Sequence, residues 1–158
     1  MTRTLGLLSI VLIAASAFAQ DPKKTAAILT GDNKGSAANN PQCKLFTLAE
    51  AAKYIGEPVG KIANAGMGMG CQWLAKDEDG DMMVTVVPAQ YHEVPSLAKG
   101  FKRLPAIGPK AFVVPELGGW AAGTISGNEA VKVSVAGDGA SEKSAVDLLQ
   151  ETLKRRAK

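Results

Sequence analysis

Residues 43–71 read CKLFTLAEAAKYIGEPVGKIANAGMGMGC, and the cysteines at the two ends are the only ones in the chain. Thr47 and Glu50 match a capping box, in which each side chain accepts a hydrogen bond from a free backbone N–H at the start of a helix. Apolar residues then recur at helical spacing until Gly56, which favours a helix end, and Pro58 prevents resumption. The pattern predicts a helix over residues 48–55.

Cys43 and Cys71 are predicted to form a disulfide, because an exported chain folds in an oxidising compartment. Closing a loop of this length stabilises a fold by ~3–4 kcal/mol in the chain-entropy model. Two free thiols or a metal-binding pair are the alternatives. The spacing matches no zinc pattern, and His92 is the only histidine that could assist.

The N-terminus has the features of a secretory signal peptide. Arg3 supplies a positive flank, residues 5–15 are apolar, and Ala17-Phe18-Ala19 fits the cleavage rule. The apolar run is too short to span a membrane, which takes about 20 residues; a buried apolar helix is the alternative. We predict a signal peptide over residues 1–19 that is cleaved near Ala19, a flexible tether over 20–42, and a single secreted or periplasmic domain over 43–158.

Charge excludes one class of function. Loss of Arg3 leaves 17 basic and 15 acidic residues, a net charge of +2. Nucleic-acid binding usually requires a strongly basic face, so no nucleic-acid partner is expected. The basic residues at 154–156 and 158 suit the C-terminal end of a helix dipole; contact with an anionic membrane surface is the alternative. No stable membrane span is expected in the mature form.

After the first helix, short apolar runs alternate with turn residues. Strands are predicted over residues 59–64, 71–75, 82–87, 110–114, 120–125 and 130–136. A second helix is predicted over residues 95–102, and a last helix begins after Ser141 and continues to about residue 155. Tight turns join consecutive strands without a strand–helix–strand repeat. The expected fold is therefore α+β, with a mainly antiparallel sheet of about five strands, helices packed on one face, and one disulfide.

The opening C-K-L-F-T-L-A-E-A at residues 43–51, followed by I-G-E-P-V at 55–59, resembles a family of secreted bacterial domains of unknown function, many of them lipoproteins. Cys71-Gln72-Trp73 resembles that family's second cysteine before an aromatic residue, and I-G-P-K-A-F at 107–112 its entry to a later strand. Pro109 replaces the usual aspartate, and no lipid-attachment cysteine follows the signal. The resemblance implies a compact α+β domain outside the cytoplasm and supplies no catalytic residues.

Two clusters of residues suggest metal ions. Asp77, Asp79 and Asp81 resemble a calcium loop, but the EF-hand register fails and a solvated hairpin tip is the alternative. Thioethers bind Cu(I) outside the cytoplasm, and methionine also fills gaps in protein cores. The sequence therefore assigns no metal ligand and no cofactor. The methionines considered for copper are Met67, Met69, Met82 and Met83, with His92 nearby in the sequence.

No pattern of catalytic residues is convincing. Ser96 and Lys99 match the S-x-x-K motif of penicillin-binding enzymes, yet both partner motifs are missing, and a capped helix is the ordinary interpretation. The glycines at 66, 68 and 70 do not fit a dinucleotide site. His92 has no recognisable nucleophile beside it. We therefore expect no enzyme activity and no catalytic residue, although a hydrolase with an unrecognised site is a third hypothesis.

The sequence predicts an exported, non-catalytic domain that binds a protein or a cell-envelope component. The alternative is a periplasmic carrier of a small ligand or of copper, which would use the methionine–glycine loop. A large apolar pocket beside Trp73 or Trp120 would favour the carrier. A closed core with a flat exposed patch would favour the binding domain.

Overall fold

A computed structural model describes residues 36–77 and 79–157. The predicted signal peptide, its cleavage point near Ala19 and most of the predicted tether lie outside the described residues. The end of the tether, residues 36–42, belongs to the fold and forms 3-10 turns at Ala37–Asn39 and, continuing into the domain, Pro41–Lys44. Asn40 is buried, and its Nδ2 donates hydrogen bonds to Asn64 Oδ1 at 2.9 Å and to the Gly70 carbonyl at 2.8 Å.

The predicted first helix is confirmed as α1, Leu48–Ile55. The Glu50 N–H donates to Thr47 Oγ1 at 3.2 Å, and the Thr47 N–H donates to Glu50 Oε2 at 2.8 Å, which completes the capping box. Gly56 ends the helix with φ 91°, in the left-handed region that favours glycine. The boundaries of α1 therefore follow from local sequence.

Within the described residues, the sheet has seven strands, all paired antiparallel, in the spatial order β1-β2-β3-β7-β6-β5-β4. The prediction of about five strands is therefore wrong. The strands are β1 Val59–Ala65, β2 Gly70–Ala75, β3 Asp81–Pro88, β4 Lys102–Arg103, β5 Phe112–Glu116, β6 Gly119–Ser126 and β7 Glu129–Ala136.

The error in the strand count comes partly from β4, which has only two residues, both charged, and so shows no apolar alternation. Its pairing with β5 depends on the tertiary fold. The helix predicted over residues 95–102 is also wrong, because that segment forms turns and then β4. Gly100 has φ 80° and Leu97 is 101% exposed. A short helix needs an apolar face that packs, and Leu97 packs against nothing.

The second helix of the fold, α2, covers Glu142–Arg156 and is capped by Ser141, as predicted. Helix α1 contacts β1, β2, β3 and β7, and α2 contacts β5, β6 and β7. Both helices share one core with the sheet, so they lie on the same face, which we call the helix face. The buried core of this face includes Ile55, Trp73, Met82, Val84, Val133, Val135, Leu148 and Leu149.

The predicted disulfide is confirmed between Cys43 and Cys71, with a Cα–Cα distance of 5.0 Å. It joins the second 3-10 turn to β2, and both cysteines are buried. Together with Asn40, the bond holds the segment before α1 against the β1–β2 edge of the sheet.

Glycines let the end of α1 approach two turns of the sheet. The Gly139 N–H donates to the Ile55 carbonyl at 2.7 Å, so the turn after β7 binds a carbonyl at the end of α1. A Cβ on Gly139 would lie 2.5 Å from the Tyr54 carbonyl oxygen, and one on Gly80 would lie 2.7 Å from Ile55 Cγ2. Side chains at these positions would push α1 away from the sheet.

Among the described residues, no helix is both long enough and apolar enough to cross a membrane.

Candidate functional site

The sheet face opposite the helices, which we call the loop face, is covered in part by residues 89–101, the covering loop. Strand alternation directs Phe112, Val114 and Ala121 to this face, where they form a second small core with Val94 and Phe101 of the loop. Strand β3 is apolar on both faces, and that pattern indicates that both faces are covered. Helices α1 and α2 lie on the helix face, so the loop face of β3 is covered by the covering loop instead.

A cavity of about 340 Å³ lies between the covering loop and the sheet. We call it the loop-face pocket. Its floor comes from β3, β5 and β7, and its wall from the covering loop. The lining residues are Thr85, Val87, Tyr91, His92, Glu93, Pro95, Ala98, Phe112, Val114, Pro115, Glu116, Ala130 and Lys132.

Phe112 is the largest apolar group in the pocket floor. Its ring packs against Phe101, with centroids 6.1 Å apart, and against His92 at 5.8 Å. Gly123, which is paired with Phe112 on β6, makes this position possible, because a Cβ there would lie 3.0 Å from two carbons of the ring. The Phe112 ring therefore lies over the β6 backbone.

Several of the polar groups that line the pocket are paired. Lys132 Nζ lies 2.7 Å from Glu116 Oε1, and both side chains are partly exposed. His92 Nε2 lies 3.2 Å from the Lys110 carbonyl oxygen. A carbonyl oxygen only accepts hydrogen bonds, so this contact requires Nε2 to donate. The ring of His92 is thus held by a hydrogen bond on one side and Phe112 on the other.

Three large apolar side chains that line the pocket, or neighbour its lining residues in the sequence, are exposed, and we call them the rim. Tyr91 lines the pocket and is 64% exposed, while Leu97 and Leu117 are 101% and 105% exposed. Leu97 lies in the sequence between the lining residues Pro95 and Ala98. Leu117 follows the lining residue Glu116 and also lines a shallow depression beside Trp120. Apolar groups next to an apolar pocket are typical of a binding surface.

A second groove of about 400 Å³ lies between α1 and α2, but its charged groups bind one another. Arg155 pairs with Glu50 and Glu151, and Lys143 pairs with Asp147. Hydrogen bonds from Arg155, and then from Thr47, lower the pKa of Glu50 from 4.5 to about 2. The arrangement joins two helices and leaves few groups free for a ligand.

The four methionines considered for copper do not converge. Met82 is completely buried in the helix-face core, whereas Met83, the next residue of β3, points to the loop face. Met67 and Met69 lie in the turn between β1 and β2, where they are 53% and 38% exposed. Only the Met67–Met69 pair therefore has exposed thioethers on one turn.

The other predicted residues do not form a cluster. Asp81 Oδ2 accepts a hydrogen bond from Gln72 Nε2 at 2.9 Å, and Asp77 and Asp79 are exposed. Among the described residues, no three His, Cys, Asp or Glu side chains form a group that could hold a metal ion. Ser96 and Lys99 are exposed in the covering loop.

Neither tryptophan lies beside a large pocket. Trp73 is completely buried, with its Nε1 donating to the Phe46 carbonyl at 3.3 Å. Trp120 borders a depression of only about 70 Å³. The loop-face pocket was not predicted, although β3 had carried a signal for it: apolar side chains on both faces.

Comparisons of the chain with protein-family models, with curated proteins and with solved structures find no match. The resemblance to secreted domains stays a prediction, and function is inferred from the pocket and its rim.

Proposed function

We propose that this chain is an exported, non-catalytic binding domain and that a protein partner inserts one apolar side chain into the loop-face pocket. The observation that carries the proposal is the combination of an apolar pocket with the exposed side chains of Leu97 and Leu117, which neighbour its lining residues in the sequence. Protein interfaces often centre on one large side chain that fills a pocket, surrounded by contacts that exclude water.

The rim favours a protein over a small ligand. At about 340 Å³ the pocket is at the small end of the range for ligand sites. A molecule enclosed in the pocket would leave Leu97 and Leu117 in water. A protein that inserts a side chain would cover both leucines as well, and the burial of apolar area contributes to binding.

The lining residues support a binding role without chemistry. They include neither serine nor cysteine, Lys132 is paired with Glu116, and His92 Nε2 donates to a backbone carbonyl. A nucleophile needs a base within hydrogen-bonding distance, and no such pair is present among the described lining residues. Export is supported by the predicted signal peptide and by a buried disulfide, which persists in oxidising compartments.

Display of random linear peptides against the folded domain tests the binding proposal. We expect enriched peptides to share an aromatic or branched aliphatic residue. Their binding should be lost in Ala98→Trp, which places a large ring at the pocket wall, and weakened in Leu97→Ser and Leu117→Ser. Leu48→Ser is the matched control. Leu48 is an exposed leucine on α1, which lies on the opposite face of the sheet from the pocket.

Two results would overturn this function: a library without enriched peptides, or peptides that bind the Ala98→Trp variant as well as the original domain. Thermal denaturation establishes that each variant is folded. Export is tested separately by cell fractionation and by sequencing the N-terminus of the mature chain, which we expect to begin at Gln20. A chain recovered only from the cytosol would contradict export without affecting the binding site.

A further inference from the structure

We propose that the partner segment is acidic beside its apolar side chain and that Lys99, Arg103 and Lys110 recognise it. This inference rests on the proposed function and specifies the chemistry of the partner. All three cations are exposed, and none forms an ion pair with another described residue.

Each of these cations adjoins a residue that lines the pocket, either in the sequence, through a hydrogen bond or through strand pairing. Lys99 follows the lining residue Ala98, and the Lys110 carbonyl oxygen is bonded to His92. Arg103 of β4 lies opposite Phe112 of β5 in the strand register. The Arg103 guanidinium lies 5.8 Å from the centre of the Phe101 ring, which stacks on Phe112. Gly100, next to Lys99, approaches Pro115, whereas Arg103 and Lys110 lie near Phe112. The three positive charges therefore border the site at both ends of β5.

The other charges near the pocket do not cancel them. Lys102, the neighbour of Arg103, is neutralised by Glu142 at the start of α2, and Glu116 is neutralised by Lys132. Glu93 is the one lining carboxylate without an ion pair among the described residues. Around the pocket, three cations and one carboxylate are therefore without an ion pair among the described residues, and an acidic segment complements that balance.

A protein segment fits this arrangement better than an anionic membrane does. The apolar site is concave, so it accepts a projecting side chain and gives little contact to a flat bilayer. Binding to an anionic membrane surface is therefore included in the test as the alternative outcome.

The test uses the peptides enriched by display and the flanks of their shared apolar residue. We expect Asp and Glu to be over-represented there relative to the starting library. Replacing those residues by Asn and Gln should weaken binding roughly ten-fold in about 0.05 M NaCl, and most of the difference should disappear in about 0.5 M NaCl, because salt screens exposed charges.

A triple variant, Lys99→Glu, Arg103→Glu and Lys110→Glu, should lose the preference for acidic flanks. The triple variant Lys44→Glu, Lys53→Glu and Lys76→Glu is the matched control, with the same change in charge at exposed positions away from the pocket. It should keep the preference. Vesicles of anionic phospholipid provide a second probe, to which we expect no binding that depends on the first three cations.

Several results would overturn the inference while leaving the pocket intact: enriched peptides with neutral or basic flanks, an unchanged preference in the first triple variant, or vesicle binding that this variant abolishes. Absence of any enriched peptide would instead remove the proposed function together with this inference.

Discussion

Arg155, near the end of α2, holds Glu50 in the first turn of α1. Arg155 Nη2 donates to Glu50 Oε1 at 2.8 Å, and Nη1 donates to Oε2 at 3.1 Å. The same guanidinium lies 4.4 Å from the centre of the Phe46 ring and donates to the Leu45 carbonyl. One side chain thus joins α2, α1 and the segment before α1.

This pairing predicts a pH dependence of stability. The Arg155 hydrogen bonds lower the pKa of Glu50 from 4.5 to about 2, so the paired carboxylate stabilises the folded state above the ordinary pKa. That stability is lost as the pH falls from about 4.5 towards 2. Because the Glu50 side chain is 36% exposed, we expect only about 1 kcal/mol from it. Urea denaturation of Glu50→Gln should show a smaller loss over this window; an identical loss would contradict the assignment.

The disulfide is expected to supply much of the stability of the domain. Replacing Cys43 and Cys71 with alanine should lower the free energy of unfolding by roughly 3–4 kcal/mol, because the unfolded chain is no longer closed into a loop. Urea denaturation measures the loss, and reductant should reproduce it in the original protein but not in the double variant. An unfolding midpoint that is insensitive to reductant would show that the bond does not stabilise the fold.

The close approach of Gly139 to α1 predicts a large effect from one added methyl group. In Gly139→Ala, the new Cβ would lie 2.5 Å from the Tyr54 carbonyl oxygen and 2.7 Å from the Gly56 nitrogen. Backbone must move, and we expect a loss of about 2–3 kcal/mol in urea denaturation. Gly127→Ala is the comparison: Gly127 has φ 60° and no atom near its Cβ position, so its loss should be about 1 kcal/mol. Equal losses would contradict a steric cause.

Met67 is the one described residue other than glycine with a positive φ, 56°. A side chain in this conformation costs about 1–2 kcal/mol, and the Met67 side chain is 53% exposed. Met67→Gly should therefore stabilise the domain by up to about 1 kcal/mol after the entropy of glycine in the unfolded chain is included. Met69, with φ −83°, is the control, and Met69→Gly should destabilise. Thermal denaturation that finds Met67→Gly less stable would contradict the argument.

Local signals predicted α1 and α2 well, but they also predicted a helix over residues 95–102 that does not form, and long-range contacts limited the rest. Thr47, Glu50 and Gly56 determine the ends of α1 through atoms a few residues apart, so the sequence was sufficient. Strand β4 exists because it pairs with β5, and no local pattern records that contact. The helix over residues 95–102 was predicted from Pro95, Leu97, Ala98 and Phe101. Of these four residues, only Phe101 joins the second small core of the loop face.

The pocket was harder to predict because its lining residues come from four separate segments of the chain. Thr85, Phe112 and Lys132 are far apart in sequence and meet only through the strand order of the sheet. The two charge pairs that distinguish free from neutralised cations, Lys132–Glu116 and Lys102–Glu142, also join distant residues. Neither composition nor spacing could predict which acidic residue pairs with Lys132 or Lys102.

Insertion of an apolar side chain into the loop-face pocket is the central claim, and a nuclear magnetic resonance titration tests it most directly. The probe is N-acetylphenylalanine amide at up to about 10 mM, a concentration suited to a weak fragment. We predict that methyl signals of Val87, Val114 and Ala130 shift with the probe, that those of Val84 and Leu149 in the helix-face core do not, and that Ala98→Trp abolishes the shifts. Unchanged pocket signals, or equal shifts in the blocked variant, would contradict the claim.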